Sequence, residues 1–158
     1  MAKEFTHTVD DRVQMVDTSK KDSVSRQAVA SGKIILTEDT INNIQSSSIE
    51  KGNVLATARV AAIMAAKKTS DTIPMCHPIP ITGIDTDFDI NNNYITASVK
   101  IKSVGKTGVE MEALNGVSTA LLTIWDMVKS AEKDETGNYP HTKIQDIEVI
   151  EKTKSESI

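Results

Sequence analysis

Alternating apolar and polar residues predict a β-hairpin in the middle of the chain. Apolar or β-branched side chains recur at every second position over residues 84–90 and again over residues 95–101. This period of two is typical of strands that bury one face. The three asparagines at positions 91–93 tolerate left-handed backbone angles, so they favour a tight turn between the two strands.

Two longer segments, one on each side of the hairpin, predict helices. Residues 53–69 are rich in alanine, the best helix former, and contain no acid. Small side chains let other elements approach closely, so we expect this helix to be largely buried. Residues 108–131 form the second predicted helix, because apolar side chains fall on one stripe and polar ones on another. The polar stripe consists of Glu112, Asn115, Thr119, Thr123 and Asp126.

Shorter elements complete the predicted order. Residues 24–36 predict a strand that Gly32 breaks, and Thr37 caps a short helix that frays in the serines at 46–48. Three prolines within residues 74–80 predict a rigid turn segment, and residues 144–151 predict a last strand. The order strand, helix, helix, hairpin, helix, strand predicts an α+β fold with an antiparallel sheet.

Length and composition indicate a single domain. The chain has 158 residues, of which 39% are hydrophobic and 25% charged, close to the average of globular domains. No apolar run approaches the ~20 residues of a membrane-spanning helix, and no signal-peptide pattern is present. We therefore expect a cytoplasmic protein without membrane contact. Cys76 is the only cysteine, which excludes an internal disulfide framework and a cysteine-rich zinc site.

The charge pattern indicates a phosphorylated ligand rather than a nucleic acid. A net charge of −4 and an aromatic content of 3% argue against a nucleic-acid coat or a single-strand binder. Residues 51–68 and 98–108 nevertheless contain basic residues and no acid. Each stretch includes a lysine and a glycine at a predicted helix start, where N–H groups and the helix dipole favour anions. The alternative is that Lys51 and Lys106 are solvated lysines near helix caps.

A phosphate-binding P-loop is not supported. Gly105-Lys106-Thr107 matches the end of that motif, but Lys100 stands where its first glycine belongs. A phosphotransferase built on this motif is therefore disfavoured.

Several other side chains have two interpretations, one with a chemical role and one without. Asp126 and Lys129 are neighbours on the predicted helix. They form either a surface ion pair or an acid/base pair in a pocket, where burial would bring the pKa of the amine toward neutrality. His77 is braced by Pro78 and is either a hydrogen-bonded loop residue or a catalyst. Arg59, within the alanine-rich helix, either reaches solvent or pairs with a ligand.

Five blocks of sequence resemble one family. They are MVD at 15–17 followed by Ser19 and Lys21, KGNVLATARVA at 51–61, IPMCHP at 73–78, GKTGVEMEAL at 105–114 and LTIWDMVK at 122–129. The order of these blocks and their residues are similar to those of molybdenum cofactor biosynthesis protein C, the cyclic pyranopterin monophosphate synthase family. The resemblance implies a ferredoxin-like antiparallel sheet packed against helices. It also implies one synthase domain over residues 15–158, preceded by a flexible arm over residues 1–14.

The resemblance implies a reaction and its setting. The activity would be a diphosphate-releasing lyase that converts 3′,8-cyclo-7,8-dihydro-GTP, made by a radical-SAM cyclase, into cyclic pyranopterin monophosphate. The assembly would be a homohexamer, a trimer of dimers with active sites between subunits. No resident metal or other cofactor is expected, and Mg²⁺ would enter only with the triphosphate. A rival hypothesis is a non-catalytic ferredoxin-like module that senses a nucleotide.

The resemblance also assigns site residues by position. The implied catalytic residues are Asp126, Lys129 and Lys51. The implied substrate-binding residues are Met75, Cys76, His77, Met111 and Glu112.

The chain departs from the family pattern in four places. Asn53 replaces a common Asp, and Asn115-Gly116 replaces Thr-Ala. The loop over residues 134–142 is longer than in many relatives, and the glycine-rich tail with its lysine is missing. Lys152 and Lys154 are the two candidates to replace that lysine.

Overall fold

The predicted hairpin forms one half of an antiparallel sheet in a computed structural model that describes residues 8–10 and 12–156. The strands of this sheet are β3 (Val24–Ile35), β4 (Ile81–Ile90), β5 (Tyr94–Gly105) and β6 (Lys143–Ser155). The helices are α1 (Glu38–Gln45), α2 (Val54–Lys67), α3 (Thr69–Thr72) and α4 (Glu110–Glu132). A separate pair of two-residue strands comprises β1 (Thr8–Val9) and β2 (Arg12–Val13).

The larger sheet has the strand order β4-β5-β3-β6, and every neighbouring pair is antiparallel. Along the chain, a strand, helices, two strands, a helix and a strand follow each other, which is the ferredoxin-like arrangement. The predicted α+β fold with a ferredoxin-like sheet is therefore confirmed. Part of the predicted arm over residues 1–14 lies outside the described residues.

The core lies between the sheet and α4, as the periodicity predicts. Every second residue of β5 from Ile95 to Ile101 is buried. The apolar stripe of α4 faces these side chains and is also buried; its members are Val109, Ala113, Val117, Ala120, Leu121, Ile124 and Val128. Each Å² of apolar surface buried contributes about 25 cal/mol, so this contact stabilises the fold.

Gly32 does not break β3, so that prediction is wrong. It pairs with Ala97 in an uninterrupted β3–β5 ladder, although the β3–β6 ladder changes register beside it. A Cβ atom at Gly32 would lie 2.9 Å from side-chain atoms of Val117, Leu121 and Ile147. Glycine is present here because it lets α4 approach the sheet closely.

Helix α2 begins as predicted but is less buried than predicted. The Asn53 side chain caps it by accepting a hydrogen bond from the Ala56 N–H at 3.0 Å. Small residues on one side are buried, whereas Val60 and Met64 on the other side are more than half exposed. Within one chain this helix is covered on a single face. Among the described residues, no helix has both the length and the apolar content to cross a bilayer.

Candidate active site

Three predicted catalytic side chains meet near the C-terminal end of α4. The Asp126 carboxylate accepts a hydrogen bond from the Lys129 ammonium at 2.9 Å and from the Lys51 ammonium at 3.1 Å. Lys51 also donates to the Asp126 backbone carbonyl at 2.8 Å. We call Lys51, Asp126 and Lys129 the lysine–aspartate cluster. It places two cations around one anion.

Local structure explains how a residue 75 positions away reaches α4. Lys129 lies one turn after Asp126 on the same helix, so these two neighbour each other whenever the helix forms. Lys51 precedes α2, and Gly52 adopts a φ of 101°, which glycine accepts without strain. Asn53 then starts α2, which packs along α4. The packing of α2 against α4 therefore brings Lys51 close to Asp126.

The electrostatics of the lysine–aspartate cluster favour charged side chains. Hydrogen bonds from Lys129 and Lys51 lower the pKa of Asp126. The hydrogen bond to Asp126 raises the pKa of Lys129, and Tyr139 acts in the same direction. Within one chain these surroundings correspond to the surface ion pair, one of the two alternatives left open by the sequence, because the side chain of Lys129 is 44% exposed and paired with a carboxylate.

Most of the predicted substrate-binding residues surround a cavity of about 310 Å³ at the N-terminal end of α4. We call it the glutamate cavity, after Glu112. Its predicted lining residues are Cys76, His77, Met111 and Glu112. Met75 is half-buried and is not among the side chains that line it.

The cavity also contains residues that the sequence analysis did not assign to a site. These are Val16, Thr18, Lys21, Ile79, Thr107 and Gly108. Residues 1–23 are polar and mixed in charge, so hydrophobic periodicity provides no signal for residues 16–21. The available signal is the block formed by MVD at 15–17 with Ser19 and Lys21, because it belongs to the family resemblance.

Hydrogen bonds hold the segment around Ser19 against the loop that starts α4. The Lys106 ammonium donates to the Ser19 carbonyl at 3.0 Å, and the Ser19 N–H donates to Asp17 at 2.8 Å. The Arg26 guanidinium donates to the carbonyls of Gly105 and Lys106 at 3.1 and 3.2 Å. The cavity wall is therefore formed by three separate parts of the chain.

Glu112 is 3% exposed inside this cavity. Burial raises its pKa, and repulsion from Glu110 acts in the same direction, while its own backbone N–H acts against them. Burial also raises the pKa of Cys76, with a further contribution from Glu112. The cavity thus offers a carboxyl group whose ionised form is poorly stabilised by the protein, next to a thiol that favours its protonated form.

The two groups of residues are separate within one chain. Glu112 and Asp126 are 14 positions apart on one helix, which corresponds to about 21 Å along its axis. A single subunit therefore does not bring both groups around one pocket.

Other candidate residues have different roles. Arg59 donates to the Thr86 carbonyl and lies over the Phe88 ring at 5.6 Å, away from both groups. Asn115 donates to the Ala65 carbonyl and the Thr69 hydroxyl at the α2–α4 contact.

The two candidate tail lysines differ in their surroundings. Lys152 forms an ion pair with Glu110. Lys154 lines a groove together with Lys20, Lys21 and Arg26, and this groove meets the glutamate cavity at Lys21. Lys154 is therefore the better placed of the two to face an anion in the cavity.

The described part of the chain contains no cluster of three His, Cys, Asp or Glu side chains that could hold a metal ion.

Comparisons with known proteins identify the family of this chain. The model of the MoaC family matches residues 15–155. A probable cyclic pyranopterin monophosphate synthase of Methanosarcina mazei is 61% identical over 99% of this chain and 100% of its own length. Proteins with the same description from Methanococcoides burtonii and Pyrococcus furiosus are 65% and 55% identical, each over 96% of this chain and over 95% and 97% of their own lengths. This chain belongs to the MoaC family.

Proposed function

We propose that this protein is a cyclic pyranopterin monophosphate synthase of molybdenum cofactor biosynthesis. Its substrate would be 3′,8-cyclo-7,8-dihydro-GTP, supplied by a radical-SAM cyclase, and its products cyclic pyranopterin monophosphate and diphosphate. The observation that carries the proposal is the lysine–aspartate cluster, because Lys51 reaches Asp126 from another element. Such an arrangement holds an amine in a defined place for proton transfer.

The glutamate cavity suits the purine-derived end of this substrate. A carboxylate can accept two hydrogen bonds from the adjacent N–H groups of a guanine-like edge. Glu112 is buried at the cavity wall, so such a ligand would supply donors to it. Lys21 and His77 also line the cavity, and Lys106 donates to the carbonyl of Ser19, in the segment that contributes Thr18 and Lys21 to the cavity wall. These side chains would bind the triphosphate.

The chemistry requires proton transfers and one phosphoryl displacement. Lys129, held by Asp126, would move protons while the ring system opens and recloses. A ribose hydroxyl would then attack the innermost phosphorus, forming the cyclic phosphate bond and breaking the bond to diphosphate. Lysines near the phosphates would stabilise the charge of the leaving group. Any Mg²⁺ would be held chiefly by the phosphates of the substrate.

A site shared between subunits would reconcile the chemistry with the geometry. About 21 Å of helix separates Glu112 from Asp126 in one chain, which is more than one ring system can bridge. A second subunit could bring its lysine–aspartate cluster to the glutamate cavity. The exposed apolar side chains Val60 and Met64 of α2 support burial by another copy. We therefore propose a homohexamer, a trimer of dimers with active sites between subunits.

The test is incubation of the purified protein with the cyclised dihydro-GTP under reducing conditions. We expect both cyclic pyranopterin monophosphate and diphosphate from the unaltered protein, and at least a ~10²-fold loss of turnover in Lys129→Ala or Asp126→Ala. Lys102→Ala, on an exposed lysine of β5, is the matched control and should turn over at the parent rate. Absence of product, with nucleotide binding retained, would favour the sensing module instead.

A further inference from the structure

Glu132, in the last turn of α4, is a buried acid that the proposed reaction does not use. It is 5% exposed. One carboxylate oxygen accepts hydrogen bonds from the Thr37 N–H at 3.1 Å and the Thr37 hydroxyl at 2.8 Å. The other oxygen accepts from the Thr142 hydroxyl at 2.5 Å. Glu132 therefore ties the end of α4 to the cap of α1 and to the end of the following loop.

This tether is strong because the carboxylate is ionised. Burial by itself would raise the pKa of Glu132, but hydrogen bonds from Thr142, Thr40 and Thr37 outweigh it and lower the pKa. Hydrogen bonds to an ionised acceptor are roughly twice as strong as neutral ones. The carboxylate thus fastens Thr142, the last residue before β6, in a fixed place.

The loop over residues 133–142 is folded between this tether and α4. The Asp134 carboxylate accepts hydrogen bonds from the N–H groups of Thr136 and Asn138 at 2.8 and 3.0 Å, which closes the first half into a tight turn. In the second half, the ring of Tyr139 stands edge-on to Trp125, with centroids 5.3 Å apart and planes at 70°. The loop is therefore attached at both ends and in the middle.

Tyr139 consequently borders the lysine–aspartate cluster. Trp125 immediately precedes Asp126 on α4, and Tyr139 packs against it. Lys129 follows Trp125 by four residues, so the two side chains are neighbours on α4, and Tyr139, which packs against Trp125, also acts electrostatically to raise the pKa of Lys129. The position of the loop thus determines one wall of the site.

We propose that Glu132 is a positioning residue for the lysine–aspartate cluster, which it supports by fastening the 133–142 loop so that Tyr139 forms a wall beside Lys129. This inference rests on the proposed function for its effect on catalysis. Its structural half, that Glu132 determines where Tyr139 lies, stands on the contacts alone.

The decisive variant is Glu132→Gln, which keeps the volume of the side chain. The amide oxygen can still accept from Thr37, but the NH2 group then faces Thr142, whose hydroxyl has to accept instead of donate, and the charge of the acceptor is lost. We expect looser seating of the loop. Trp125 is the only tryptophan of the chain, so its fluorescence and its quenching by acrylamide report this change without substrate.

The expected result is greater quenching of Trp125 and a ~10-fold lower kcat at nearly unchanged KM, because a small displacement of a catalytic group costs rate. Glu135→Gln, on an exposed acid of the same loop, is the matched control and should leave both readouts unchanged. Tyr139→Leu is a second variant that spares the tether. It should lower kcat to a similar extent, which keeps the test valid if Glu132→Gln folds poorly.

Two results would overturn the proposal. One is a folded Glu132→Gln protein with unchanged Trp125 quenching; the other is changed quenching with parental kcat in both Glu132→Gln and Tyr139→Leu. If the unaltered protein makes no product, the proposed function fails and the catalytic half of this inference fails with it. The fluorescence result still decides its structural half.

Discussion

Two glutamates of α4 are buried to nearly the same degree and have opposite electrostatic properties. Glu112, in the first turn, is 3% exposed and has a raised pKa, whereas Glu132, in the last turn, is 5% exposed and has a lowered pKa. The helix dipole would predict the reverse, because it favours negative charge at the N-terminal end and disfavours it at the C-terminal end. Neither the degree of burial nor the helix dipole therefore explains why the two pKa values shift in opposite directions.

The difference comes from hydrogen-bond donors. Glu132 receives hydrogen bonds from Thr37 and Thr142, which stabilise its charge. Glu112 faces a cavity and the like charge of Glu110. A buried carboxylate with its donors in place stabilises the fold, whereas one that faces a cavity is suited to accept donors from a ligand. The two ends of α4 thus carry a structural acid and an acid that we propose binds the substrate.

The largest expected effect is a loss of turnover when Glu112 is substituted. Glu112→Gln should lower turnover of the cyclised dihydro-GTP by about 10³-fold, or ~4 kcal/mol, because an amide cannot accept two N–H donors. The same variant should leave the melting temperature unchanged or higher at neutral pH, since it removes a poorly stabilised charge. Product formation and thermal unfolding measure the two effects. A fall in stability with parental turnover would make Glu112 a structural acid as well.

The next largest expected effect is a loss of stability when Glu132 is substituted. Glu132→Ala should lower the free energy of unfolding by about 3 kcal/mol, because it leaves buried donors of Thr37 and Thr142 without an acceptor. For a chain of this size that corresponds to a decrease of roughly 6–12 °C in Tm. Calorimetry of the variant beside Glu135→Ala, an exposed acid, checks it. Equal Tm values for the two variants would contradict the structural assignment.

The two acids should also affect the pH dependence of stability with opposite signs. The raised pKa of Glu112 means that the folded state binds more protons just above the ordinary glutamate pKa of ~4.3. Its contribution to stability is therefore present below that pH and lost as the pH rises. The lowered pKa of Glu132 gives a contribution present above that pH and lost as the pH falls.

Urea unfolding between about pH 3 and pH 8 measures these contributions as differences from the unaltered protein. Glu112→Gln should gain stability relative to the parent as the pH rises, and Glu132→Gln should recover some of its deficit as the pH falls. Parallel curves for both variants would show that neither pKa differs between the folded and unfolded states.

The smallest expected effect isolates one hydrogen bond of the tether. Thr142→Val preserves shape and removes the hydroxyl that donates to Glu132, so it should cost about 1–2 kcal/mol of stability. Combined with Glu132→Gln, the two losses should be less than additive, because both variants remove the same interaction. Additive losses in this double-mutant cycle would show that Thr142 stabilises the fold independently of Glu132.

Much of the fold follows from local patterns. The alternation of β4 and β5, the apolar stripe of α4, the cap at Thr37 and the start of α2 are all confirmed, because each depends on residues a few positions apart. Gly32 was misjudged for the opposite reason. Its role depends on Val117, Leu121 and Ile147, which no local rule connects to it.

The candidate site likewise has one part that follows from the sequence and another that depends on the fold. Asp126 and Lys129 are neighbours by helical spacing, and the family resemblance assigns Lys51, His77 and Glu112 by position. Their geometry is not local: Lys51 meets Asp126 only because α2 packs along α4. Residues 16–21 have no hydrophobic period, so their place in the cavity wall becomes visible only after folding.

The sequence by itself determined the element types, the α+β class and the family, because periodicity, caps and long motifs are properties of neighbouring residues. Only the tertiary structure decided which of the two buried acids, Glu112 or Glu132, has hydrogen-bond donors for its carboxylate. Thr37 lies 95 positions before Glu132, and Thr142 lies 10 positions after it. The ionisation of a buried carboxylate depends on donors that the fold brings within hydrogen-bond distance, and distance along the chain contains no information about them.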